Sequence, residues 1–193
     1  MTTPSSDRTM RADARRNRDK LLAAATDLFS EAGTDVALEA VARRAGVGVG
    51  TLYRHFPTRE ALVEAVYRHV VEDLCAAAED LLASHPADEA LAEWMDRFVG
   101  YAATKRGMRG ALNAVVAAGS NVYGDVRAQI LDAIATLLAA GVAAGTIRPD
   151  VTAADVQRAM NAVWQVPEGP DWHAQARTLL RLLMDGLRYG ASG

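Results

Sequence analysis

One stretch of the 193-residue chain has side chains suited to binding nucleic acid and the spacing to present them. Residues 39–53 read as two short helices joined at Gly46, because Ala42 and Ala45 are small enough for a close helix crossing and glycine permits a left-handed turn. Val47 would fill the space between the helices, and Leu52 would anchor the second helix inward. This pattern predicts a helix-turn-helix that reads DNA.

The second of these helices would turn hydrogen-bonding groups outward. Thr51 could reach a base edge or a thymine methyl, whereas Tyr53, His55 and Arg59 are expected to contact phosphates. Val49 cannot hydrogen-bond a base, so specificity would rest on Thr51, Tyr53 and the shape of the DNA. Glycines beside Val49 would let the backbone approach the phosphates. The predicted DNA contacts are Arg44, Gly48, Val49, Gly50, Thr51, Tyr53, Arg54, His55 and Arg59.

The charge distribution is consistent with selective DNA binding. The formal net charge is −3, which argues against a chain that coats nucleic acid without specificity. Residues 1–60 nevertheless hold ten Lys and Arg against eight Asp and Glu, whereas residues 61–193 hold eleven against sixteen. Basic residues crowd the segment before and within the first helix, as a phosphate-binding arm would require. They are Arg8, Arg11, Arg15, Arg16, Arg18 and Lys20.

The elements that position these residues are predicted to be helices. Half of the chain is apolar, only 6 % is aromatic, and alanine is abundant, which favours helix over sheet. We predict an all-α protein in which the helix-turn-helix domain is followed by a larger helical domain. The predicted bounds are 1–11 for a disordered basic arm, 12–58 for the helix-turn-helix domain and 59–193 for the larger domain. The predicted helices are 12–32, 38–45, 49–55, 59–84, 88–105, 109–119, 122–144, 152–166 and 171–189.

Aromatic and amide side chains in the last two thirds of the chain suit a mostly apolar ligand cavity. We expect two or three of six candidates to contact a ligand and the others to be ordinary core residues. Their mixture of apolar and polar groups favours a neutral or weakly polar organic molecule. The six candidates are Phe98, Tyr101, Asn113, Tyr123, Trp164 and Gln165.

The last two predicted helices carry more apolar residues than one face of a domain needs. Two copies packed about a twofold axis would bury this surface in a four-helix interface. Such a homodimer would also present two reading heads to half-sites roughly 34–36 Å apart. Leu179 and Leu183 could instead belong to the internal core. The candidate interface residues are Val156, Met160, Val163, Leu179, Leu183 and Leu187.

The sequence contains no pattern that predicts catalysis, a metal or a cofactor. The four histidines are scattered, without ligand spacing among themselves or with Cys75. The glycines between Gly46 and Gly50 follow a predicted helix rather than a strand, which excludes a dinucleotide-binding turn. We therefore expect neither an enzyme nor a metal or cofactor site. A helical enzyme or protein-binding scaffold is the alternative from another class.

A cytoplasmic location without membrane partners is expected. The single cysteine excludes an intramolecular disulfide and favours a reducing compartment. Residues 1–6 lack the basic start and apolar core of a signal peptide. The best membrane candidate, 130–147, contains Asp132 and is rich in alanine, which is too weakly apolar to drive insertion.

The segment around the helix-turn-helix resembles the DNA-binding domain of the TetR family. The resemblance covers roughly residues 12–65 and is carried by 21–29, by Val-Ala at 41–42, by Ala-Gly-Val at 45–47, and by GTLYRHFPTREAL at 50–62. It implies an N-terminal three-helix DNA-binding domain and a larger helical domain for ligand binding and dimerisation. It also implies a homodimeric repressor that leaves a palindromic double-stranded operator when a small organic effector binds. An activator or a ligand-independent regulator of the same fold is the alternative. Residues 98–110, FVGYAATKRGMRG, resemble the C-terminal domain of an SbtR-like subgroup.

Two predicted helix caps depart from the family pattern. Ala37 stands where Ser or Thr is common, and Gly48 stands where Ser is common. Losing a hydroxyl cap costs about 0.5–2 kcal/mol against alanine and less against glycine. Asp35 or Thr34 could substitute for the first cap.

Overall fold

The computed structural model describes the backbone of residues 4–191 and the side chains of residues 12–191. Every regular element in this range is a helix, which confirms the predicted all-α class. The elements are α1 (Pro4–Ala32), α2 (Leu38–Ala45), α3 (Val49–His55), α4 (Arg59–Ser84), α5 (Ala87–Gly107), α6 (Arg109–Ala117), α7 (Val122–Ala143), α8 (Ala153–Met160), a 3₁₀ helix (Asn161–Gln165) and α9 (Trp172–Arg188).

The first helix is longer than predicted, so the expectation of a disordered arm is wrong for residues 4–11. Helix α1 begins at Pro4 rather than near residue 12. Proline is compatible with a first helical turn, where its missing N–H would have no intrahelical partner, and residues 5–11 contain no glycine or further proline. Residues 1–3 of the predicted arm, and the side chains of Arg8 and Arg11, lie outside the described part of the chain.

The helix predicted for 152–166 divides into two elements. Helix α8 begins with a capping box, in which the Thr152 hydroxyl accepts a hydrogen bond from the Asp155 N–H at 3.2 Å. After Met160 the chain tightens into the 3₁₀ helix, which ends at the extended Val166. Pro167 explains this ending, because a residue before proline is biased away from helical geometry.

The described residues form two compact units. The first unit contains residues 4–69 and Arg106–Val122, and the second contains Val70–Lys105 and 123–191. This division assigns α6 and the first part of α4 to the first unit, whereas the predicted bounds assigned both to the larger domain.

The core of the first unit comes from α1, α2 and α3, which contact one another. Leu21, Ala25 and Phe29 of α1 are buried, as their helical spacing predicts. In α2, Val41 is buried as expected, but Ala42 is also fully buried while Ala45 is only half-buried. The small side chain of Ala42 therefore lies at the helix crossing.

In the second unit, α8, the 3₁₀ helix and α9 contact one another around an apolar core. Four residues predicted for a dimer interface are inside this core, and that part of the prediction is wrong. A side chain buried within one chain has no surface left for a second copy. The four, with exposures of 3 % or less, are Val156, Met160, Val163 and Leu187.

Helix α7 is the one described helix that is long and apolar enough to cross a membrane. Helices in the core of globular proteins can have the same length and composition. Ile134 and Leu137 of α7 are fully buried within the second unit, and the helix carries Asp125, Arg127 and Asp132. Its apolar character is thus weak support for a membrane span.

Candidate DNA-binding surface and ligand cavity

The turn between α2 and α3 depends on a left-handed glycine. Gly46 has φ 67° and ψ 31°, and its N–H donates to the Arg43 carbonyl at 3.1 Å. The Val47 N–H donates to the Ala42 carbonyl at 3.0 Å, so the last carbonyls of α2 are satisfied within the turn. Residues with a Cβ rarely adopt this backbone geometry. The turn has the conformation that the sequence predicts.

Helix α3 has one buried anchor and an outward surface. Leu52 is fully buried, as expected, whereas the side chains of Val49 and Tyr53 are 39 % and 43 % exposed. Thr51 and His55 are half-buried. We call the outward residues of this helix and its N-cap the reading surface; it consists of Gly48, Val49, Gly50, Tyr53 and Arg54, all exposed.

The two glycines of the reading surface are not required by packing. A Cβ built on Gly50 would have no atom within 4 Å, and one on Gly48 would have only Thr51 Oγ1, at 3.9 Å. Neither residue has a positive φ. The fold therefore tolerates larger residues here, and glycine leaves the backbone at the start of α3 uncovered.

The helix caps at Ala37 and Gly48 are formed by the backbone alone. Neither residue has a side chain that accepts a capping hydrogen bond, and neither Asp35 nor Thr34 replaces the missing hydroxyl. The Ala37 carbonyl accepts from the Ala40 N–H at 2.9 Å, and the Gly48 carbonyl accepts from the Thr51 N–H at the same distance.

Arg59, a predicted phosphate contact, is bonded to the protein itself. Its Nη1 donates to the carbonyl oxygens of Thr34 and Val36, the second at 2.9 Å. The guanidinium thereby fastens the start of α4 to the loop between α1 and α2. The contact of Arg59 with phosphate stays a prediction, whereas its hydrogen bonds to the two carbonyls are present in the structure.

Arg44 also has a partner within the first unit. Its guanidinium donates to both carboxylate oxygens of Glu31, at 2.9 and 3.3 Å. The hydrogen bond and the charge of Arg44 hold the pKa of Glu31 below its usual value. Arg18 lies 5.7 Å from the centre of the Phe56 ring, joining α1 to the end of α3. Several predicted phosphate-binding arginines thus also connect the helices of the first unit.

An aromatic cavity of about 290 Å³ lies within the second unit. Its walls combine four of the six predicted ligand residues, namely Phe98, Tyr101, Tyr123 and Trp164, with polar groups that the sequence analysis did not select. Asn113 is exposed on α6, and Gln165 borders a different groove. The full lining is Phe98, Tyr101, Lys105, Tyr123, Val126, Arg127, Ile130, Gln157, Asn161 and Trp164.

Aromatic rings surround a lysine in this cavity. Lys105 Nζ lies 4.8 Å from the centre of the Tyr123 ring and 5.0 Å from that of Trp164. The rings of Phe98 and Tyr101 are 5.3 Å apart, and Tyr101 meets Trp164 edge-on at 6.3 Å. Burial lowers the pKa of the Lys105 ammonium.

Helical spacing could have identified the missed cavity residues. Lys105 follows Tyr101 by four positions and Phe98 by seven, so the three share a face of α5. Gln157 likewise precedes Asn161 by four positions. Gln157 is the one buried polar residue among those described, and its Nε2 donates to the Arg127 carbonyl at 3.1 Å.

A separate apolar surface lies on α9. Leu179 is 36 % exposed and Leu182 is 64 % exposed, while Leu183 is half-buried. Gln175 and Thr178 lie on the same side by helical spacing. We call these residues, Gln175, Thr178, Leu179 and Leu182, the α9 surface. Two of the six predicted interface residues, Leu179 and Leu183, thus keep surface for a partner.

The described side chains contain no group of three or more His, Cys, Asp or Glu residues placed to hold a metal ion. An outward-facing helix after a tight glycine turn defines the class of helix-turn-helix DNA-binding proteins.

Comparison with known proteins identifies the family. Residues 21–66 match the family described as bacterial regulatory proteins, tetR family, and residues 86–189 match the C-terminal domain of SbtR-like transcriptional regulators. The second match alone spans more than half of the chain. The chain belongs to the TetR family of transcriptional regulators, and both sequence resemblances are confirmed.

Solved structures agree over nearly the whole length. A TetR transcriptional regulator of Streptomyces coelicolor is 52 % identical, with a TM-score of 0.81, over 89 % of this chain and 98 % of that one. A TetR transcription regulatory protein of Mycobacterium vanbaalenii is 37 % identical, with a TM-score of 0.74, over 93 % and 99 %. A curated HTH-type transcriptional regulator of Staphylococcus aureus is 37 % identical over 81 residues, and the match spans only 42 % of its length.

Proposed function

We propose that this regulator is a ligand-responsive repressor that binds a palindromic operator as a homodimer and leaves it when a small organic effector binds. The observation that carries the proposal is the presence, in one chain, of an exposed reading surface and a separate aromatic cavity. A regulator that binds chromosomal DNA acts in the cytoplasm, so a cytoplasmic location without membrane partners is part of the proposal.

The DNA contact is proposed to use α3 in the major groove. Tyr53 and Arg54 offer a hydroxyl and a guanidinium on the exposed side of a helix whose residues, 49–55, include no carboxylate. Such groups bind phosphates and base edges. A single short helix reads only a few base pairs, so two copies on two half-sites would supply the affinity that an operator requires.

Repression would follow from occlusion of a promoter. Helix α4 is continuous from Arg59 to Ser84, and its residues are divided between the two units. We propose that ligand binding in the second unit changes the orientation of α4 and thereby the separation of the two reading surfaces. A coupling of about 1–3 kcal/mol would weaken operator binding some 5- to 150-fold, and DNA would weaken ligand binding by the same factor.

Two linked experiments test this proposal. Fluorescence anisotropy with DNA from upstream of the gene would first locate an operator, and a small-molecule screen would then seek a compound that releases it. Calorimetry of that compound with and without operator should give affinities that differ by the same factor as the two DNA affinities. Equal ligand affinities in both titrations would contradict ligand-dependent release.

In vitro transcription from the same promoter distinguishes repression from activation. The proposal expects fewer transcripts when the protein is added and recovery when the releasing compound is added. A rise in transcripts on addition of the protein would show an activator of the same fold.

A further inference from the structure

The aromatic cavity carries positive charge without any acidic lining residue. Two of its ten lining side chains are cationic, Lys105 and Arg127, and none of the ten is Asp or Glu. Lys105 is half-buried and Arg127 is exposed. A ligand in the cavity therefore meets two cationic side chains and no carboxylate among the lining residues, which favours a negative charge over a second positive charge.

The ammonium of Lys105 lies close to two aromatic rings. Its Nζ lies within about 5 Å of both the Tyr123 and the Trp164 ring centres, at 4.8 and 5.0 Å, a distance at which the faces of aromatic rings attract a cation. Burial removes water from this ammonium and lowers its pKa. A carboxylate placed at this ammonium would form a charge-assisted hydrogen bond, which is roughly twice as strong as the hydrogen bond that a neutral group would form there.

The rest of the cavity suits an apolar body. Phe98, Val126 and Ile130 supply carbon surface, and the ring of Tyr101 meets that of Trp164 edge-on. The volume, about 290 Å³, is at the lower end of the range for small-molecule sites, which limits the ligand to a small molecule. Gln157 and Asn161 add amide groups at one wall.

We infer that the cavity binds a small organic acid, a carboxylate joined to an aromatic or short aliphatic body, with the carboxylate at Lys105. An acidic ligand replaces the neutral or weakly polar one expected from the sequence, because Lys105 and Arg127, which are not among the six predicted ligand residues, line the cavity. The inference rests on the proposed function only where it takes this acid to be the effector; binding of the acid to the DNA-free protein is measured without an operator.

Calorimetry of the full-length protein without DNA tests the inference. The probes are phenylacetate and hexanoate, their uncharged amides phenylacetamide and hexanamide, the cation phenethylammonium, and phenyl phosphate. Each carboxylate should bind about tenfold more tightly than its amide, since shape is conserved and only the charge is lost. This comparison needs no variant, so a folding defect cannot obscure it.

Matched variants then assign the effect to Lys105. In Lys105→Gln the preference for acid over amide should fall to roughly threefold or less, because the amide side chain keeps a donor but no charge. Arg97→Gln is the control, since Arg97 lies on the same helix, is exposed and pairs with Glu93. It should keep the full preference.

Any of four results would overturn the inference: equal binding of acids and amides, no binding of either acid, tighter binding of phenethylammonium than of phenylacetate, or binding of phenyl phosphate alone. Other results would contradict the effector role and leave the inference intact. An acid that binds but does not release the operator would support the inference and contradict the effector role. Operator release by an uncharged molecule, with no binding of either acid, would contradict the inference and support the proposed function.

Discussion

In α3, one side chain anchors the helix in the core and others are exposed to solvent. Leu52 is fully buried and fixes the rotation of the helix, so Val49 and Tyr53 keep 39 % and 43 % of their surface exposed. Gly50 lies between them with no atom within 4 Å of the position of a Cβ. An apolar and an aromatic side chain beside a bare backbone form a surface that a groove of DNA can cover closely.

Gly50→Ala separates DNA contact from folding. Alanine should not destabilise the helix, because nothing opposes the new methyl group. Any gain in stability should be smaller than the value of about 0.5–1 kcal/mol for a helix interior, since Gly50 lies in the first turn of α3. Operator affinity should nevertheless fall roughly tenfold, because the methyl displaces a close backbone contact. Urea unfolding and DNA anisotropy measure the two effects.

Gly100→Ala is the matched control for this substitution. Gly100 is an exposed residue of α5, and a Cβ there would also have no atom within 4 Å. Because Gly100 lies in the interior of α5, alanine there should raise stability by about 0.5–1 kcal/mol and leave operator affinity unchanged. An equal loss of DNA binding in both variants would contradict the proposed close approach at Gly50.

The sequence predicts which residues of α3 face outward, but it does not predict the partners of arginines outside this helix, such as Arg59. The spacing of Val49, Leu52 and Tyr53 determines which side of α3 faces outward once Leu52 is buried. Arg59 donates to the Thr34 carbonyl, 25 positions away in sequence, and a local pattern carries no signal for such a contact. Chain folding therefore decides whether an arginine is available to DNA.

Among the elements, helix ends differ in how they are capped. Ala37 is the N-cap that precedes α2. It has the extended geometry of an N-cap, φ −62° and ψ 136°, but no side-chain oxygen to accept a hydrogen bond. Helix α8 begins with the full capping box of Thr152 and Asp155. Spacing and proline positions predict most helix bounds closely, but the change to a 3₁₀ helix at Asn161 has no periodic signal.

Opposite substitutions at these two caps should have opposite effects. Ala37→Ser adds an acceptor for the first turn of α2 and should stabilise the first unit by about 0.5–2 kcal/mol. Thr152→Ala removes the cap of α8 and should destabilise the second unit by a similar amount, about 1 kcal/mol. Hydrogen exchange resolved by residue would assign each change to its helix. No change in protection at residues 38–45 for Ala37→Ser would contradict the missing-cap explanation.

The contact between α7 and the following loop requires a glycine. A Cβ on Gly141 would lie 2.4 Å from Cδ1 and 2.7 Å from Cγ1 of Ile147, which is 1 % exposed. Gly141→Ala should therefore destabilise the protein by about 1–3 kcal/mol through overpacking, despite the better helix propensity of alanine. Urea unfolding of Gly141→Ala, compared with that of Gly100→Ala, measures this loss of stability. Equal stabilisation by both alanines would contradict the predicted overpacking.

For the whole molecule, apolar periodicity identifies amphipathic helices but not their partners. Val156, Met160 and Val163 have the pattern of an interface, yet α8, the 3₁₀ helix and α9 bury them within one chain. The exposed leucines of the α9 surface, Leu179 and Leu182, are the ones that remain for a second copy. We propose that they contribute to the homodimer contact.

A charge on the α9 surface should therefore weaken association. The double variant Leu179→Lys/Leu182→Lys places two ammonium groups where a dimer would bury apolar side chains, and should shift light-scattering mass from two chains towards one of 20.6 kDa. Val116→Lys is the control, because Val116 is 39 % exposed on α6 in the first unit. A double variant that stays dimeric would exclude the α9 surface from the interface.

The central claim is that the reading surface binds an operator, and a gel-shift titration of Tyr53→Ala against DNA from upstream of the gene tests it most directly. Tyr189→Ala is the matched control, since Tyr189 is 81 % exposed and lies after α9. Saturable binding by the wild type and Tyr189→Ala, with a loss of about tenfold or more in Tyr53→Ala at unchanged melting temperature, is the predicted result. Equal operator affinity in all three proteins would contradict the claim.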